Sequence, residues 1–145
     1  MKFRLIFAAL LASAWCMAAI AQDRAYTQGA VTQVAGIKIQ SGHFDEYMAY
    51  LQNSWAKEQA ALKAAGLILD YAIYQGSPRG PNDADVYLTT TYANMAALDG
   101  FDERSAPISA KVLGTTPAQD SAAMSKRNEY RQVLGIELIR EIKLK

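Results

Sequence analysis

Residues 30–66 read AVTQVAGIKIQSGHFDEYMAYLQNSWAKEQAALKAAG, and the change of period inside them decides the fold. Over Ala30–Gln40, Val31, Ala35, Ile37 and Ile39 share one alternation parity, and Val34 alone is apolar among the polar residues of the other. A period of two is that of a half-buried strand. Ser41-Gly42 ends it. From Phe44 the period lengthens. Phe44, Tyr47, Met48, Leu51, Trp55 and Leu62 recur at helical spacings and form one aromatic and apolar face. Asp45 and Glu46 sit where the helix dipole favours negative charge, and Lys57 and Lys63 fall toward the other end. Gly66 occupies the place of a left-handed C-cap.

Downstream, Leu67–Gln75 is rich in Leu, Ile and Tyr and predicts a second strand. Gly76–Asp83, with two prolines, is a connecting loop. Asp85–Tyr92 predicts a third strand, which makes an antiparallel hairpin with the second. Asn94 is an N-cap for a helical turn through Met95 and Leu98, interrupted at Asp99-Gly100. Ala106–Leu113 predicts a further helical piece, and Thr115-Thr116-Pro117 a break. Asp120–Leu134 predicts a helix with Met124, Tyr130, Val133 and Leu134 as its contacts, ended by Gly135. Ile136–Lys145 alternates again, with Arg140 among Ile136, Leu138, Ile142 and Leu144, and predicts the last strand.

Upstream, Lys2 and Arg4 precede an apolar run from Leu5 to Ile20 that ends in Ala19-Ile20-Ala21. A basic start, an apolar middle and a small-x-small end predict a secretory signal peptide over residues 1–21, hence a periplasmic or secreted domain over residues 22–145. Gln22–Gly29 reads as a polar lead-in. Cleavage would remove Cys16, the only cysteine, and with it all thiol chemistry. It would also remove Lys2 and Arg4, taking the formal net charge from +1 to about −1. A near-neutral domain gives no electrostatic reason to bind nucleic acid or an anionic membrane.

The order strand, helix, strand, strand, helices, strand predicts an α+β, ferredoxin-like fold: a four-stranded antiparallel sheet with helices on one face. Val34, Ile139 and the tyrosines at 71, 74 and 87 put apolar groups on the second face. A homodimer packed sheet on sheet would cover them.

The chain resembles the dimeric α+β barrel superfamily, which includes the antibiotic-biosynthesis-type monooxygenases, and specifically its exported members. The resemblance rests on the element order, on Ser41-Gly42-His43-Phe44-Asp45-Glu46-Tyr47 leading into helix one, on Lys63-Ala64-Ala65-Gly66 closing it, and on the final strand Gly135–Lys145. It implies a homodimer with a barrel pocket. Members include cofactor-independent oxygenases, haem-degrading enzymes and proteins without known activity. Haem-degrading members use a histidine with a nearby Asn and Trp, a set that no segment here reproduces.

His43 is the only histidine. It is the catalytic candidate, as a general base, or else a polar residue at a helix start. Trp55, with Tyr47, Met48 and Leu51, could line a pocket for an aromatic or acyl ligand, although helical spacing equally places it in the core. Tyr71 belongs to a stock of phenols with Tyr47, Tyr50, Tyr74, Tyr87 and Tyr92, suited to a pocket or an interface. Arg140, on the apolar side of its strand, would bind a ligand carboxylate or pair with Glu46, Asp70 or Asp85. One histidine and scattered carboxylates give no transition-metal set, and Asn82–Asp85 lacks the form of a calcium loop. No phosphate-binding loop or nucleophile elbow is present, so no metal and no cofactor is expected. These features predict an exported small-ligand-binding or structural protein. The alternative is a cofactor-independent monooxygenase or isomerase acting on an aromatic or quinone-like molecule, with His43 or a tyrosine as base.

Overall fold

A computed structural model of the protein describes residues 24–145, so the leader, its cleavage after Ala21 and Cys16 lie outside the described residues. The elements run β1 (Tyr26–Ile39), α1 (Phe44–Tyr50), a π-helical segment (Leu51–Trp55), α2 (Ala56–Ala64), β2 (Asp70–Gln75), β3 (Val86–Tyr92), a 3₁₀ turn (Met95–Leu98), α3 (Phe101–Leu113), α4 (Pro117–Arg127) and β4 (Arg131–Leu144). The strands form one antiparallel sheet in the order β2-β3-β1-β4. This is the ferredoxin-like arrangement expected from the element order.

The parity read from β1 holds. Val31, Ile37 and Ile39 are buried, and Ile37 and Ile39 pack with Val86 and Leu88 of β3 against Tyr47 and Leu51. A second cluster joins Leu62, Ile68 and Tyr92, with Phe101 and Ile108 of α3 packed against it. The first helix is not one continuous α-helix. In an α-helix each four-residue step overshoots a full turn by about 40°, so positions 47, 51, 55 and 59 would drift off the sheet. The π segment, in which the Leu51 carbonyl accepts from the Ala56 N–H, has more residues per turn and absorbs that drift. Gln59 is thereby kept buried, where its Oε1 accepts from Thr90 Oγ1 at 3.1 Å. The helix ends as expected at Gly66, whose φ is 73°. Gly66 N–H donates to Lys63 O and Leu67 N–H to Leu62 O, both at 3.0 Å, the paired bonds of a Schellman motif.

Several boundaries differ from expectation. The polar lead-in is strand from Tyr26, because β1 pairs with β4 beyond the part that the helices cover. Leu67–Leu69 is spent on the helix stop, so β2 starts at Asp70. Asp85 lies before β3 and pins β1: its carboxylate accepts from Lys38 Nζ at 3.0 Å and from the Ile39 N–H at 2.8 Å. The α3 helix starts at Phe101, not Ala106. Arg104 reaches back to the carbonyls of Ala97, Asp99 and Gly100, tying the 3₁₀ turn to α3. The last helix is Pro117–Arg127 rather than Asp120–Leu134. Thr116 and Gln119 form a capping box with Pro117 in the first turn. Val133, Leu134 and Gly135 belong to β4, and Gly135 ends no helix.

Partial burial opposes the charge on Asp85, but the Ile39 N–H and the Lys38 ammonium outweigh it and hold its pKa below the ordinary 3.8. Ionised Asp85 therefore stabilises the fold at neutral pH, and that contribution is lost as the pH falls below 3.8 through the folded-state value. Asp85→Asn is expected to cost about 1–2 kcal/mol at neutral pH, since a hydrogen bond to a charged group is replaced by a neutral one. Urea melts at neutral pH and near pH 3 check this. The gap between the two proteins should shrink in acid, and an unchanged gap would contradict the assignment.

Candidate functional site

The helix-free face of the sheet carries the chemistry-bearing cavity. The β1–β4 register sets Gly36 opposite Gly135 and Ile37 opposite Val133, which leaves Leu134 as an extra, bulged residue. Two facing glycines make a patch of bare backbone. The Tyr87 ring lies beside Gly36, within 3.8 Å of where a Cβ would stand, while nothing lies within 4 Å of a Cβ built on Gly135. The result is an open groove of about 350 Å³ with Val34, Ala84, Tyr87, Leu134 and Ile136 in its walls and Asn82, Asp83 and Glu137 at its rim. Asp83 is committed to its own loop, where it accepts from the Arg79 and Gly80 N–H groups at 2.7 and 2.9 Å. The loop is fixed from below at Gly76, where a Cβ would collide with the Ala84 carbonyl oxygen. The groove is thus apolar at its centre and polar at its edge, with volume for a small molecule.

Around the groove the face mixes exposed apolar groups with the threonines at 32, 89 and 91 and with Glu137. Tyr74 pairs with Tyr87 across β2–β3, and Ile139 pairs with Thr32 across β4–β1. Tyr74 is 57% exposed and Ile139 50%. β4 is an edge strand, exposed along its length after Arg131, and its helix-side row of Ile136, Leu138, Ile142 and Leu144 is also in solvent.

The residues singled out in the sequence fall elsewhere. His43 is the N-cap residue of α1 and makes no side-chain cap bond. Its Nδ1 lies 2.9 Å from Glu46 Oε2, and its ring stacks on Tyr130 at 5.4 Å. Tyr130 in turn meets Tyr47 edge-on, and Arg131 Nη1 donates to Tyr47 Oη at 3.2 Å. Burial pushes the Tyr47 phenol above 10.0 despite the Arg131 hydrogen bond. Burial, then Glu46, raises Tyr130 likewise, and burial, then Asp102, raises Tyr92. In all three, burial favours the neutral phenol over the phenolate.

Trp55 and Tyr71 are brought together, edge to face at 5.7 Å, as one seam between helix and sheet. Trp55 packs on the first core cluster and Tyr71 on the second. Arg140 does not meet the acids considered for it. Its Nε donates to Gly29 O at 3.4 Å, while Glu46 is taken by His43, Asp70 by Lys63 and Asp85 by Lys38. The physical reason is that the helices stop short of this end of the β1–β4 ribbon, so Arg140 is exposed and needs no buried partner. None of His43, Trp55, Tyr71 and Arg140 lines the sheet groove. Among the described residues no three His, Cys, Asp or Glu side chains converge to hold a metal ion, and no helix is long and apolar enough to cross a membrane.

Of the groove residues, Tyr87 was expected on the second sheet face and among the phenols suited to a pocket, whereas Gly36, Gly135 and Leu134 were not read as parts of a site. The available signal was a glycine inside each of two alternating stretches, the mark of a bulge or a close approach.

No family model and no curated protein matches the chain. Among solved structures, HapK from Hahella chejuensis is similar with a TM-score of 0.49 at 11% identity, over 77% of this chain and 91% of HapK. A dimeric ferredoxin-like protein from an uncultured marine organism is similar with a TM-score of 0.47 at 12% identity, over 82% of this chain and 98% of that one.

Proposed function

We propose that this chain is an exported homodimer that holds a small apolar or aromatic molecule in the groove of its helix-free sheet face. The observation that carries the reading is the groove built over the Gly36–Gly135 pair on the helix-free sheet face. A sheet with apolar side chains on both faces is not stable in water with one face bare. Large exposed apolar side chains at Tyr74, Tyr87 and Ile139 and a long exposed edge strand both favour cover by a partner. A second copy suits this face because a two-fold axis sets the exposed Tyr74, Tyr87 and Ile139 of each chain against the same residues of the other. Covering would also close the groove, which one chain leaves open. Export rests on Lys2 and Arg4, the apolar run and Ala19-Ile20-Ala21.

Gly135→Val provides the test. It adds an isopropyl group whose Cβ meets nothing within 4 Å, in a strand where valine is favoured, so the protein is expected to fold at least as well as before. The methyls occupy the groove floor, so a ligand that co-purifies with the natural protein should be lost. Native mass spectrometry of both proteins recovered from the periplasm reads retained ligand, and intact mass reads cleavage after Ala21. A ligand retained equally by the valine variant, or no ligand retained by either, contradicts the site.

A further inference from the structure

The helical layer contains a second cavity that shares no residue with the sheet groove. One wall is a stripe running from α1 through the π segment into α2 that presents Tyr50, Asn53, Ser54 and Lys57. The other is the face of α4 that presents Asp120, Ala123, Met124 and Arg127. Val112 and Leu113 at the end of α3 close it, and its volume is about 450 Å³. Both helical faces have the spacing of a single stripe, so the cavity follows from α4 lying along the π segment.

At one end the Arg127 guanidinium lies over the Tyr50 ring, 4.2 Å from its centre. Among the described residues Arg127 has no carboxylate within salt-bridge distance, and its Nε is buried without a hydrogen-bond partner. A guanidinium held rigid on an aromatic face and lacking an anion is preorganised for one. Asn53 and Ser54 lie beside it with their side chains uncommitted to other residues described. Met124 and Val112, 51% and 37% exposed, supply an apolar wall. The acidic groups Glu58 and Asp120 stand at the other end. Asp120 is two turns from Arg127, roughly 10 Å along α4, and is engaged by Thr115 Oγ1 at 2.6 Å.

We propose that this inter-helical groove binds a small amphipathic carboxylate, with its carboxylate on Arg127 and its apolar body along Met124 and Val112. The site is independent of the sheet groove and of dimerisation. Octanoate is the probe, with octan-1-ol as the control that lacks the charge. Calorimetric titration of the natural protein should show saturable binding of octanoate and binding of octanol weaker by roughly tenfold or more. Arg127→Gln should weaken octanoate by a similar factor. Ala123→Leu, an exposed helical position that tolerates leucine, should fill the groove while keeping the guanidinium charge of Arg127, its neighbour one turn away. Gly135→Val should leave octanoate binding unchanged, which separates this site from the sheet groove. Absence of saturable octanoate binding overturns the inference. So does equal binding by Arg127→Gln, equal binding by Ala123→Leu, or loss of binding in Gly135→Val alone.

Discussion

Ile139→Asp is expected to convert the proposed homodimer into folded monomers. Ile139 sits on the helix-free face opposite Thr32, near the centre of the β1–β4 pairing, and is half exposed in one chain. The core of the chain lies on the other face, under Tyr47, Leu51 and Leu62, so an aspartate at 139 meets water in the monomer and leaves the fold intact. In the sheet-on-sheet dimer the same carboxylate is desolvated without a partner, and the two-fold axis imposes that cost twice. A penalty of about 3 kcal/mol weakens dimerisation by roughly a hundredfold. Met95→Asp is the matched control, an equally exposed apolar residue on the helical side of the molecule. Light scattering at micromolar concentration should find the Ile139 variant monomeric and the Met95 variant dimeric. If both behave alike, the helix-free face is not the interface.

Leu51→Ala is expected to produce the largest loss of stability. Leu51 is 1% exposed, packs in the cluster that joins Ile37, Val86 and Leu88 to α1, and opens the π segment. Removing a fully buried isobutyl group costs its transfer free energy and leaves a cavity, together about 3 kcal/mol. For a domain of this size that lowers Tm by roughly 10 °C. The π segment makes the cost larger than at an ordinary helical site. The widened turn is retained because Leu51, Trp55 and Gln59 all gain from facing the sheet, and truncating the first weakens the reason for it. Thermal unfolding followed by far-ultraviolet circular dichroism checks this, and a Tm within a degree or two of the natural protein would contradict the packing described.

The sequence was most legible where a local pattern and a buried face coincide. The parity of Val31, Ile37 and Ile39, the glycine stop at Gly66 and the Asn94 cap, whose side chain accepts from the Ala97 N–H at 3.0 Å, are decided within a few residues. Tyr130, Val133 and Leu134 misled because their spacing imitates a helix. In the structure Leu134 is a bulge residue, and a bulge breaks the alternation by which a strand is recognised. The Thr116–Gln119 capping box was present in the chain as the competing signal. The site was less legible than the fold. The His43–Glu46 contact is three residues long and local, but the stacking of His43 on Tyr130 requires the chain to return. The groove needs more still, because glycines at 36 and 135 become one feature only through the register of two strands at opposite ends of the domain. Arg140 shows the converse. Its position among apolar residues suggested burial, but that face of β4 has no helix over it.

The mass of the natural protein in solution tests the central claim most directly. Native mass spectrometry of the chain at micromolar concentration should report twice the mass of one chain if, as proposed, a second copy covers the helix-free face and its groove. A single-chain mass under those conditions would contradict the account.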